Sequence, residues 1–153
     1  TRTILLSGFV AGTLDILAAF FVYSVLMKVV TPVQILQGIA TTAIGKATIQ
    51  NETLMVITGL LIHYVIAYCF AIGYFLFYPR INFLHRNAII SGLLYGVIVW
   101  AIMNLIVVPL ANSHFPTIIL NAFLRAIIIL MICIGLPISI ITAKYYKRNA
   151  EQN

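Results

Sequence analysis

Four residues stand out against an apolar background: Asp15, His63, Asn104 and Arg125. Each lies inside a separate run of hydrophobic residues. An aspartate can hold and release a proton or bind a cation. A histidine titrates near neutral pH. An arginine supplies a fixed positive charge, and an asparagine supplies a donor and an acceptor. Ionisable groups inside a bilayer are costly, about 2.5–3.5 kcal/mol each on insertion scales, so they point to function by default.

Their depths can be read from the helical rise of about 1.5 Å per residue. Measured from one end of the spans, Asp15 falls at roughly 17 Å, His63 at roughly 22 Å, Asn104 at roughly 24 Å and Arg125 at roughly 25 Å. The spacing predicts one polar layer near the membrane centre. Asp15 and Arg125 are expected to face the bundle interior and compensate each other, with His63 beside them. Three readings are open. The Asp–Arg pair fixes helix register; the layer binds a proton, an ion or a small polar solute; or the charges face another subunit.

The runs that carry these residues span 4–27, 54–78, 88–110 and 117–142. A helix needs about 20 apolar residues to cross a bilayer. The chain has 153 residues, 63% hydrophobic and only 8% charged. A soluble domain carries roughly a quarter charged residues. The expected fold is therefore an all-α, four-transmembrane-helix bundle forming a single transmembrane domain. Barrel strands would alternate polar and apolar residues, and these runs do not. The first run is too long for the apolar core of a signal peptide and reads as a retained span.

The linkers set direction. Arg2, Arg80, Arg86, Lys144, Lys147 and Arg148 collect on one side, Lys28 and Lys46 on the other. The positive-inside bias places both termini in the cytoplasm. The net charge of +6 is thus explained by orientation and lipid headgroups, without nucleic acid. Between the first two spans, Thr31-Pro32 reads as a helix start. Val33, Leu36, Ile39, Ala40 and Ile44 then recur at helical spacing. A short amphipathic interfacial helix is expected over 32–45, either a surface strap or a lid over a cavity.

Gly8 and Gly12 in the first span match Gly92 and Gly96 in the third, each pair following a serine. Gly-x-x-x-Gly lets helix backbones approach closely. These glycines predict close packing of spans one and three, within or between chains, and a parallel internal repeat. Leu136-Pro137 predicts a kink in span four. Cys69 and Cys133 read as small apolar fillers, and Tyr64, Tyr68 and Trp100 as packing or as the lining of a lipid or quinone site.

No His-Glu-x-x-His, Gly-x-Ser-x-Gly or phosphate-binding glycine loop is present, and no second intramembrane carboxylate. No enzyme, cofactor or metal site is expected. The leading expectation is an oligomeric channel or transporter. The rivals are an accessory or scaffold subunit of a larger membrane complex, and a lipid or quinone binder. The expected partners are the lipid bilayer and either further copies of the chain or another membrane protein.

Several stretches carry a resemblance. They are Ala11-Gly12-Thr13-Leu14-Asp15-Ile16, Leu36-Gln37-Gly38-Ile39-Ala40, Gly45-Lys46, Tyr78-Pro79-Arg80, Gly92-Leu93-Leu94-Tyr95-Gly96, Trp100-Ala101-Ile102-Met103-Asn104 and Val108-Pro109-Leu110. The chain resembles a group of small, functionally uncharacterised bacterial inner-membrane proteins. It is more distantly similar to the YagU type, through the end of span two and span three. The resemblance implies four spans and a bacterial inner-membrane location. It assigns no role to Asp15, His63 or Arg125.

Overall fold

The computed structural model describes residues 2–44, 51–109 and 120–151. Among them every regular element is a helix. Four helices are long and apolar enough to cross a membrane: α1 (Arg2–Leu26), α3 (Glu52–Arg80), α5 (Ala88–Val107) and α6 (Leu120–Ala150). A short helix, α2 (Pro32–Ile44), follows α1. A single-turn helix, α4 (Asn82–Arg86), joins α3 to α5. Lys46, Leu110 and residues 117–119, to which the sequence reading extends, lie outside the described residues.

Local signals account for the helix starts. Thr31 and Gln34 form a reciprocal capping box at α2. The Gln34 N–H donates to Thr31 Oγ1 at 3.2 Å, and the Thr31 N–H donates to Gln34 Oε1 at 2.8 Å. Asn51 caps α3 by accepting from the Leu54 N–H, with Glu52 in the first turn against the positive helix end. Asn87 caps α5 by accepting from Ile89 and Ile90. Lys28, in left-handed backbone with φ of 54°, turns the chain away from α1.

Three of the four long helices widen to π geometry, at Phe20–Leu26, Met103–Val107 and Met131–Gly135. The last has a plain cause. Pro137 has no N–H to give the carbonyl four residues back, and the π turn just before it absorbs the mismatch. Helix α6 also runs on to Ala150, beyond the apolar stretch that ends near 142.

Outward faces are apolar. Leu5, Phe9, Leu61, Val65, Leu94 and Ile98 are all exposed. Water would expel such a surface, whereas acyl chains accept it. Inside, packing depends on small residues because lipid supplies no hydrophobic drive between helices. Gly8, Gly12, Gly92 and Gly96 are all buried.

Their partners differ from expectation. Spans one and three do not pack on each other through these glycines. On α1, Gly8 and Gly12 lie under the rings of Tyr68 and Tyr64 from α3. On α5, Gly92 and Gly96 meet α6 at Gly135, Met131 and Ser139. The reason is steric: tyrosine rings fill the α1 face, and Gly135 gives α6 the matching bare backbone. Each glycine pair therefore serves the span that follows it. Tyr64 and Tyr68 take part in this packing through their rings.

Helix α2 lies against α3, with Leu36 and Ala40 buried. The Leu36 carbonyl sits where a Cβ on Gly59 would go. Gly38, by contrast, has nothing within 4 Å of that position. Gly38→Ala should therefore stabilise the protein by up to about 1 kcal/mol through helix propensity, while Gly59→Ala destabilises it by about 2 kcal/mol. Melting curves in one detergent distinguish the two.

Candidate functional site

Asp15 and His63 come together. Both line a small, partly open cavity of about 100 Å³ between the helices, with Ala67, Val99, Leu130 and Ile134 among its walls. The helices that place them are α1 and α3, held in register by two polar contacts. His63 Nε2–H donates to the Gly12 carbonyl at 2.8 Å. The next residue on each helix continues the seam, with Thr13 Oγ1 and the Tyr64 hydroxyl 2.8 Å apart. A carbonyl can only accept, so the proton of neutral His63 sits on Nε2. Nδ1 is left as the acceptor nitrogen of the ring.

Asp15 is half-buried, and among the described residues its carboxyl has no hydrogen-bond partner. His63 and Cys133 are both within electrostatic reach of it. A cavity of this size holds about three waters at the volume each occupies in the liquid. Water there would link the Asp15 carboxyl to His63 without direct contact. Met103 and Ile134, each from a π segment, also border the cavity. Such segments recur at functional sites, where they re-aim side chains.

The other two members of the expected layer lie apart. Asn104 turns back on its own helix, its amide donating to the Trp100 carbonyl at 3.0 Å. Arg125 makes no ion pair with Asp15 among the described residues, and its Nε is buried without a partner. It stands five residues from the cavity-lining Leu130, or roughly 7.5 Å along α6. Trp100 packs edge-on against Phe123, with centroids 4.5 Å apart.

Comparison with family models, curated proteins and solved structures finds no match.

A second polar cluster went unseen in the sequence. The Tyr74 hydroxyl lies 2.8 Å from Ser91 Oγ and 2.7 Å from Ser139 Oγ, and Ser139 Oγ donates to the Ala88 carbonyl at 2.6 Å. All three side chains are buried. One tyrosine thus ties α3 to both α5 and α6. The signal was available: a serine at each of two close-packed helix faces and a tyrosine one span away. Tyr74→Phe should cost about 1–2 kcal/mol, read as a lower midpoint in a denaturing-detergent titration, because two serines lose their shared partner.

Above this cluster α3 and α5 part. An apolar groove of about 540 Å³ lies between them, lined by Cys69, Phe70, Phe77, Leu94, Tyr95 and Ile98 among others. Tyr95 crosses it and donates to the Phe70 carbonyl at 2.7 Å. Cys69 is exposed in this groove rather than filling the core, and both cysteines are free. No group of three metal-ligating side chains occurs among the described residues.

Proposed function

We propose that this chain is a small proton-conducting transporter of the bacterial inner membrane, with both termini in the cytoplasm. The observation that carries the reading is the Asp15 carboxyl, without a hydrogen-bond partner among the described residues and sharing a small cavity with His63. A register-fixing aspartate would be bonded to a neighbour. A carboxyl left free beside a titratable ring suits a proton acceptor. The size of the cavity argues for a proton over a larger solute, since a few waters fill it.

In this reading Asp15 takes the proton from one side. Water passes it to His63 Nδ1, and the Nε2–H bond to Gly12 holds the ring in place. Arg125 acts at a distance, as a positive charge on the neighbouring helix. The basic residues clustered at Arg80, Arg86, Lys144 and Lys147 support the cytoplasmic assignment of that end. Helix α2, packed on α3, is a cover at the opposite interface. The resemblance to small bacterial inner-membrane proteins is consistent with this location. Assembly as a homo-oligomer would complete a path that four helices alone enclose poorly.

The test is proton flux. Protein reconstituted in liposomes with an internal pH-sensitive dye should dissipate an imposed pH gradient faster than empty vesicles. Flux equal to empty vesicles would remove the transporter reading and favour an accessory subunit. A second reading has one specific observation behind it. The apolar groove between α3 and α5 suits a hydrophobic molecule such as a lipid tail or quinone. It predicts a retained ligand, visible by native mass spectrometry of gently extracted protein.

A further inference from the structure

Where α3 stops and α6 approaches its end, a pocket of about 680 Å³ opens between them. Ile140 and Ala143 form an apolar wall, and His85, Lys144 and Lys147 are set around it. Tyr78 and Tyr146 stack at 4.8 Å with planes 19° apart, and His85 meets the Tyr78 ring edge-on at 4.6 Å. Arg80 lies within electrostatic reach of Tyr146, while one of its nitrogens donates to the Leu76 carbonyl.

The charge at this pocket is unbalanced. The whole chain has three acidic residues, and only Glu151 is near, one turn beyond Lys147. Among the described residues no carboxylate pairs with Arg80, Lys144 or Lys147. Orientation alone would need basic residues at the end of a span, with no concavity between them. Here Lys144, Lys147 and His85 line one pocket, beside a buried Tyr78 ring stacked on a half-buried Tyr146.

We infer that this pocket binds the phosphate-bearing headgroup of an anionic phospholipid. Lys144, Lys147 and His85 take the phosphate oxygens. The Ile140 and Ala143 wall takes the glycerol and the first methylenes, and α6 leads on into the span. Both the size of the pocket and its apolar wall exceed what an inorganic phosphate needs. The inference rests on the four-span reading but not on proton flux.

The full chain in neutral detergent, offered equimolar phosphatidylglycerol and phosphatidylethanolamine, should retain phosphatidylglycerol about twenty-five-fold better, since each of the two lysines near the headgroup contributes roughly fivefold. Lys144→Gln with Lys147→Gln should bring the ratio to within about twofold of unity. Ala143→Leu keeps every charge and fills the apolar wall, and it should also lower retention. Arg2→Gln, a basic change outside the pocket, should leave the ratio intact. Native mass spectrometry reads bound lipid in folded molecules only, so a poorly folding variant does not mimic loss. An unchanged ratio in the double lysine variant would overturn the inference. So would displacement of phosphatidylglycerol by millimolar inorganic phosphate, which would assign the pocket to a soluble anion. In either case, recovery of the chain from membranes leaves the span assignment standing.

Discussion

An Asp15→Asn variant in liposomes should lose proton flux by about a hundredfold, to the leak of empty vesicles, because the amide cannot carry the proton. Its helix content and oligomeric state should be unchanged. Its stability should hold or rise by about 1 kcal/mol, since the substitution removes a charge that is costly at that depth. These directions distinguish the proton site from an architectural one. A structural aspartate would give the opposite pair of results, flux retained and the fold weakened. Asp15→Glu keeps the acid and should retain part of the flux. His63→Gln keeps a donor toward the Gly12 carbonyl at 2.8 Å but loses the second titratable nitrogen. It should therefore slow flux without unfolding the α1–α3 seam. Wild-type flux in Asp15→Asn would end the proposal.

The largest structural effect should follow Gly135→Ala. A Cβ there would run into the Gly92 carbonyl oxygen and stand 2.9 Å from the Gly96 nitrogen. Both obstacles are backbone of a packed helix, so neither can swing aside. The helices must separate, and about 3 kcal/mol or more should be lost. The separation would also pull Ser139 from Tyr74, adding to the cost. Gly12→Ala is the informative contrast. Its nearest obstacles, at 3.0 and 3.1 Å, are the Tyr64 ring and the Ala67 methyl. A ring can tilt, so the loss there should be about 1 kcal/mol. Unfolding midpoints of both variants in mixed detergent micelles check the order. Equal losses would mean that the α5–α6 backbones are not in the contact described.

Span number and helix type were legible because both follow from one strong signal, the length of the apolar runs. The start of α2 was legible too, because Thr31-Pro32 is a local chemical signature. The end of α6 was not. Lys144 to Ala150 is too polar to read as span, yet the helix continues there because Tyr145 and Tyr146 pack on Phe75. Glycine positions announced close approaches but not their partners. A glycine face accepts a tyrosine ring or another backbone equally well, and the choice depends on residues of the next span. The same limit applied to the polar layer. Depth along a helix placed Asp15 and His63 at similar levels, but facing direction decides contact. The π turns at Met103–Val107 and Met131–Gly135 shift that direction by part of a turn. A direct Arg125–Asp15 ion pair, absent among the described residues, presumes a regular fourth span, and the π turn at Met131–Gly135 makes it irregular.

The groove between α3 and α5 makes the bundle mechanically unequal around its circumference. Helix α1 is seated on α3 through the Tyr64 and Tyr68 rings, and α5 is seated on α6 through close backbone approach. Helices α3 and α5 are bridged instead by hydroxyls, Tyr95 to the Phe70 carbonyl and Tyr74 to Ser91. Lateral pressure from the bilayer acts on all sides alike, but the resistance differs. The compliant seam is the one between α3 and α5, because α6 is tied to α3 by Tyr74 to Ser139 and by Tyr146 to the Phe75 carbonyl. Opening the α3–α5 seam sacrifices two hydrogen bonds and little close packing, and α5 supplies the Val99 wall of the Asp15 cavity. A change in membrane thickness or tension should therefore act first along this side, next to the aspartate.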